Sequence, residues 1–404
     1  MLILELLIAI ICGMIAGTIT GITPGVHINL VSIMLLSASG YLLGFLQPIT
    51  LAVFIITMAI THTYLDALPS IFLGAPDADQ VLNVLPGHRL LLKGQGYEAV
   101  KLTVIGSFLC LIATIIAIPI LIPVTPVIFY FVEPVMGWIL LVTSIYMILH
   151  ERGMQKKVWA LCVYLMAGIL GIIVLTLPNL EQPLLPMLSG MFGISSLVMS
   201  LHNKVNIPEQ KISEEISVSQ KDLSKITAAS TISGGITGLF PGIGAAQAGI
   251  IGAQLVGNIG DYGYLILNGG INTVNFMFSL VTFYTLEKAR NGAVLVILEL
   301  VKKIDYSELL IFLAAALIVG SICVFLTLWF ARKFSKLINI VNYKYMCISV
   351  IIFVSLLVFV FSGWKGLLVM MISTALGIIP VSVNVGRNHA MGCLLLPVTL
   401  FFLL

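Results

Sequence analysis

Apolar stretches long enough to cross a bilayer follow one another along nearly the whole chain, and this limits the possible folds more than any motif does. A helix spans about 30 Å of hydrocarbon with about 20 apolar residues, because it satisfies its own backbone hydrogen bonds along the way. Windows of that size, bounded by charge, Pro or Gly, run over 49–74, 102–122, 127–149, 158–177 and 184–201. They resume over 263–285, 307–330, 345–361, 364–380 and 388–404. Ahead of each set lies an interrupted apolar stretch, 1–46 broken at Pro24-Gly25 and 226–257 broken at Pro241-Gly242. Only 9% of the 404 residues are charged, whereas a soluble domain carries about a quarter. So few charges cannot cover a water-facing surface, and the reading is an all-α polytopic membrane protein.

Several function classes fall away. The net charge of +3 is scattered, with no basic run interleaved with aromatics, which excludes nucleic acid as a partner. Cys12, Cys110, Cys162, Cys323, Cys347 and Cys393 lie far apart without a CxxC pair, and read as small core residues rather than metal or disulfide positions. The first residues carry Glu5 where a secretory leader would be basic, and read as a retained membrane segment. There is no HExxH, GxSxG or Walker A pattern, so neither an intramembrane hydrolase nor an ATP-driven pump has support. No metal site and no cofactor are expected beyond a coupling sodium ion or proton.

The one long polar segment, 202–225, reads as a linker between a membrane repeat at 1–201 and another at 226–404. Basic residues gather at 86–101, 150–157, 202–225 and 331–344, which puts these connections in the cytoplasm. The N-terminus, the 178–183 loop and the turn holding Glu133 then fall outside, in the cell membrane's outer face. The charged stretch 286–306 would also lie outside and fits this scheme less well.

A duplication organises the rest. GTITGITPG at 17–25 recurs as GGITGLFPG at 234–242. Each copy opens its half, followed by five crossings, and an odd number of crossings inverts the second copy. Inverted repeats with interrupted segments mark secondary transporters that bind substrate near the midplane. Proline lacks an N–H and glycine tolerates unusual backbone angles, so each Pro-Gly ends one helix and lets another begin as a hairpin. The new helix starts with free N–H groups that favour an anion. The substrate set is therefore Thr20, Thr23, Pro24, Gly25, His27 and Asn29 in the first half, and Thr237, Pro241, Gly242, Gly244 and Gln247 in the second. The glycine rows Gly13/Gly17/Gly21 and Gly234/Gly238 have a plainer reading as helix-packing faces.

Polar side chains in apolar spans are costly and are ligand candidates by default. Thr61, His62 and Asp66 in one span and Asn268, Asn272 and Asn275 in its counterpart form the ion-coupling set. Asp66 near the interface, wetted by solvent, is the alternative for that residue. Arg387, Asn388 and His389 read as an interfacial anchor or as an anion gate.

GITGITPG, GITGLFPGIGAA and LNVLPGHRLLLKGQGYEAVKLTVIGS (82–107), with FVEPVMGWIL and PMLSGMFGISSLV, resemble segments of the TctA family, the large membrane subunit of tripartite tricarboxylate transporters. The chain looks like a short archaeal-type member. The resemblance implies sodium- or proton-coupled symport of small organic acids, with a small membrane subunit and an extracytoplasmic binding protein as partners. The expected function is secondary transport of a small organic anion between the two breaks, with a homodimer as a further expectation. Two rivals stay open: translocation of a lipid-linked phosphate such as polyprenyl phosphate, and a non-transporting membrane scaffold subunit.

Overall fold

The computed structural model describes residues 2–23, 28–74, 84–180, 182–202, 208–212, 218–239, 244–289, 291–340 and 343–404. In order these form α1 (Leu2–Ile22), α2 (Ile28–Ser37), α3 (Ser39–Leu42), α4 (Pro48–Leu65), α5 (Val84–Leu91), α6 (Gly96–Val132), α7 (Met136–Leu149), α8 (Met154–Thr176) and α9 (Leu184–Leu188). They continue as α10 (Ser195–His202), α11 (Gln220–Leu239), α12 (Ala245–Val256), α13 (Gly260–Leu286), α14 (Gly292–Val301), α15 (Tyr306–Ile340), α16 (Tyr343–Ser382) and α17 (Gly392–Leu403). No strand occurs among the described residues, and seven continuous helical segments are long and apolar enough to cross a membrane. The protein is an all-α polytopic membrane protein.

Two helices form the centre. The apolar window of the α4 segment is 83% buried and that of α13 94%, against 22% for α1. An outer belt of exposed Ile116, Phe131, Trp138, Phe325, Trp329 and Val360 supplies the lipid-facing surface. The halves are interleaved: α6, from the first, packs chiefly on α13 of the second, and α15 of the second lies on α4 of the first. Glycine makes the α6–α13 crossing close. A methyl added at Gly106 would fall 1.9 Å from the Ile266 carbonyl oxygen, and Ser107 Oγ donates to the Gly269 carbonyl at 2.9 Å.

Contacts between connections sort into two ends. At one end, the Arg89 guanidinium forks onto the Asp261 carboxylate, with Nε 3.1 Å from each oxygen. The Arg332 guanidinium lies over the Tyr97 ring there. Gln210 of the 202–225 segment is buried, accepts from Gly96 N–H and donates to Leu91 O, so the linker is pinned to the α5–α6 turn. At the other end, Lys365 Nζ donates to Pro178 O at 3.1 Å and Lys288 sits over Phe129. The 86–101, 202–225 and 331–344 stretches thus meet at one end, while the other end takes in 286–306 with its four basic residues.

Some boundaries differ from those read in the sequence. The 102–122 and 127–149 windows do not part at the prolines: α6 runs through Pro119, Pro123 and Pro126, and the break falls at the 3₁₀ turn Glu133–Val135. Membrane helices tolerate internal proline because neighbouring groups re-satisfy the freed carbonyls. The 184–201 window is α9 and α10 joined by a buried π-helical turn, Ser189–Ile194, too short in all to count as a full span. The 345–361 and 364–380 windows are the two arms of α16, which bends where Gly363 takes a φ of 62°. The 286–306 stretch holds α14, whose Ala293, Val294, Val296 and Ile297 are buried against α4 and α2. Four cysteines are core residues as read, but Cys12 is exposed and Cys162 half-buried.

Candidate functional site

The site is framed by two helix pairs built alike. Gly17 of α1 lies on the Met58 carbonyl of α4, and Gly21 on Leu65 and the His62 carbonyl. Gly234 of α11 lies in the same way on the Ile271 carbonyl of α13, and Gly238 on Phe278 and the Asn275 carbonyl. The threonine between the two glycines bonds back in each copy, Thr20 Oγ1 to Gly17 O and Thr237 Oγ1 to Gly234 O. Both glycine rows are therefore packing faces, as the plainer reading held. The contacts match His62 with Asn275, so two residues of the ion-coupling set occupy equivalent places on the two central helices.

Pro24, Gly25, His27, Pro241 and Gly242 lie outside the described residues, as does the side chain of Asn29. On the first-half side, Thr20 is buried and its hydroxyl is 3.1 Å from His62 Nδ1. Since Thr20 donates to Gly17 O, the ring Nδ1–H is the donor of this pair. Thr23 is half-buried at the last turn before the break. Asp66 is 3% exposed at the end of α4. Thr61 does not join His62: its hydroxyl bonds Thr57 O and meets Cys323 Sγ of α15 at 3.5 Å.

In the second half, Gly244 caps α12 and its N–H donates to Gln247 Oε1 at 2.9 Å. The amide oxygen of Gln247 is thus spent on its own helix, and its NH₂ is the end with donors to give. On α13, Asn268, Asn272 and Asn275 follow at helical spacing along one stripe, continued by buried Ser279 and Thr282. Gly269 and Gly270 turn to α6 and α11, and the far end of the stripe also meets α11, where Thr282 donates to Gly238 O at 3.0 Å. Asn272 is 2% exposed, and neither its Oδ1 nor its Nδ2 has a hydrogen-bond partner.

Sequence reasoning passed over Tyr64. It is 1% exposed on α4 and its hydroxyl has no hydrogen-bond partner. The signal was available, since a tyrosine inside an apolar span carries a polar end that has to be placed. Arg387 and His389 form a separate cluster. The Arg387 guanidinium donates to Ser196 Oγ of α10, and Glu151 accepts from Gly386 N–H at 3.0 Å and from His389 Nε2 at 2.9 Å. These residues tie the 150–153 and 383–391 connections to each other and to α10. Among the described residues no group of three or more His, Cys, Asp or Glu is placed to hold a metal ion.

A family model described as the tripartite tricarboxylate transporter TctA family matches residues 7–392. The chain belongs to the TctA family. That match takes in both Pro-Gly breaks, both central helices and the Arg387 cluster. An uncharacterized protein of Methanocaldococcus jannaschii is 28% identical over 98% of this chain and 99% of its own length. No solved structure matches. Membership in TctA makes the chain a component of a transporter family whose members work in systems of three parts.

Proposed function

We propose that this TctA-family chain is the translocating subunit of an ion-coupled symporter for a small organic anion of the di- or tricarboxylate kind. Substrate binds between the two Pro-Gly breaks and is exposed to either side in turn. Asn272 carries this reading: a buried amide with no partner for oxygen or nitrogen is costly in a membrane core unless a ligand completes it. Its oxygen suits a cation and its NH₂ a carboxylate oxygen.

The rest of the set takes roles around it. Substrate oxygens meet the helix starts after Gly25 and Gly242, with Thr20, Thr23, His27, Asn29, Thr237, Gly244 and Gln247 supplying further contacts. His62, Asp66, Asn268 and Asn275 hold the coupling ion with Asn272. Thr61 has its hydroxyl engaged elsewhere and serves at most as support. The matched helix pairs support an inverted repeat, since the α11–α12 hairpin and the start of α13 share the end occupied by the α5–α6 turn. We place that end in the cytoplasm and the N-terminus outside, and expect a small membrane subunit and an extracytoplasmic binding protein as partners.

A thermal-unfolding screen of the detergent-purified chain against citrate, succinate and other small organic acids, with and without sodium, tests the reading. A ligand at a hundredfold excess over its Kd should stabilise the fold by about 2.7 kcal/mol. Stabilisation by an organic acid that Asn272→Leu removes is the expected result. A full response in Asn272→Leu would sink the site, and stabilisation by a short-chain polyprenyl phosphate alone would replace the substrate class.

A further inference from the structure

An open groove of about 600 Å³ lies between α6 and α11. Its walls are Leu109 and Ala113 on α6 and Leu223, Ser224, Thr227, Ala228, Thr231 and Ile232 on α11. None of the transport-site residues lines it. The α11 wall is polar by name but not by behaviour. Ser224, Thr227 and Thr231 each donate to their own helix, to Gln220 O, Leu223 O and Thr227 O at 2.8–2.9 Å. Their hydrogens are spent, so the groove offers methyl groups and small side chains with no demand for a polar ligand.

One turn toward the start of α11, Lys221 and Lys225 lie on the face of Ser224, Ala228 and Ile232, at spacings of three, four and seven residues. Both are exposed, and neither forms an ion pair among the described residues. The nearby Asp222 carboxylate is bound to the Ser219 hydroxyl at 2.7 Å. The positive end of the helix dipole adds to the lysines at this turn. An apolar cleft beside two lysines that form no ion pair among the described residues has the pattern of one ligand class, an anionic head on an apolar tail.

We propose that the α6–α11 groove binds one anionic phospholipid of the bilayer, with its phosphate at Lys221 and Lys225 and an acyl chain lying over Ala113, Thr227, Ala228 and Thr231. This site is independent of the transport reading.

Native mass spectrometry of the full-length chain in detergent, titrated with phosphatidylglycerol or with phosphatidylcholine of the same chains, tests the proposal. The wild type should retain one phosphatidylglycerol with roughly thirtyfold preference, since the choline of phosphatidylcholine cancels its phosphate charge and each lysine near a net-anionic lipid contributes about a factor of five. Lys221→Gln/Lys225→Gln should erase the preference but still take up lipid, and Ala228→Trp should lose the tightly held lipid of either kind. Circular dichroism and thermal unfolding confirm that the variants are folded. Equal retention of both lipids by the wild type would overturn the proposal. So would unchanged retention in Ala228→Trp, competition by inorganic phosphate alone, or a dimer mass that Ala228→Trp reduces to a monomer without loss of lipid.

Discussion

An amide buried without a bond costs about 1–3 kcal/mol, and Asn272 bears that cost near the middle of α13. Replacing it with leucine, which has similar volume and no polar atoms, should leave the unfolding temperature unchanged or raise it by the equivalent of about 1 kcal/mol while uptake is lost. A variant that lost both stability and uptake would mark Asn272 as structural. Tyr64→Phe makes the same kind of test: the fold should be equally stable without the unpartnered hydroxyl, and a fall in transport, measured as counterflow in proteoliposomes, would bring Tyr64 into the site. The asparagines were legible in the sequence because amides are rare in apolar spans. The one that lacks partners was not, since the side chains packed around it, distant in sequence, decide whether an amide is satisfied. The same limit hid the role of Gln247, whose oxygen is taken by Gly244 three residues earlier.

At the scale of elements, the glycine rows can be tested against the breaks that follow them. A methyl at Gly17 would meet the Met58 carbonyl at 2.5 Å and one at Gly238 would meet Phe278 at 2.4 Å, so alanine at either should destabilise the fold by about 1–3 kcal/mol. Thermal unfolding of Gly17→Ala and Gly238→Ala beside Gly40→Ala, where nothing stands in the way, provides the comparison. The connection that carries Glu151 makes a different prediction. Burial pulls the Glu151 pKa up, but the Gly386 N–H, then His389 and Lys156, outweigh it and hold the carboxyl below its usual range. A depressed carboxylate stabilises the fold above its unfolded pKa, and that contribution disappears as pH falls through the lower, folded value. Glu151→Gln should flatten the acid side of the stability profile below the ordinary carboxylate pKa, while leaving the alkaline side unchanged. Window length and Pro or Gly located most helices, but the two windows either side of Gly363 proved to be arms of one bent helix. The long α6 and the π-helical turn at Ser189–Ile194 escaped, because packing against other helices decides whether a proline ends a helix or is carried within it.

For the whole molecule, the crossing scheme can be tested at the contacts that mark its two ends. Cysteines substituted for Arg89 and Arg332 should react with an impermeant maleimide from one side of the membrane, and one substituted for Lys365 from the other, in a background without the native cysteines. Labelling of all three from one side would refute the crossing scheme. The duplication marks the halves in sequence, but the packing divides the protein differently. Because α15 rides on α4 and α6 rides on α13, each central helix is braced by a helix from the other copy. The packing therefore groups helices across the copies, α1, α2 and α14 with α4, and α5, α6, α11 and α12 with α13, while α15 lies on both α4 and α6. Parting the copies at the linker would strip α6 from α13 and α15 from α4, and would leave each central helix uncovered on one side.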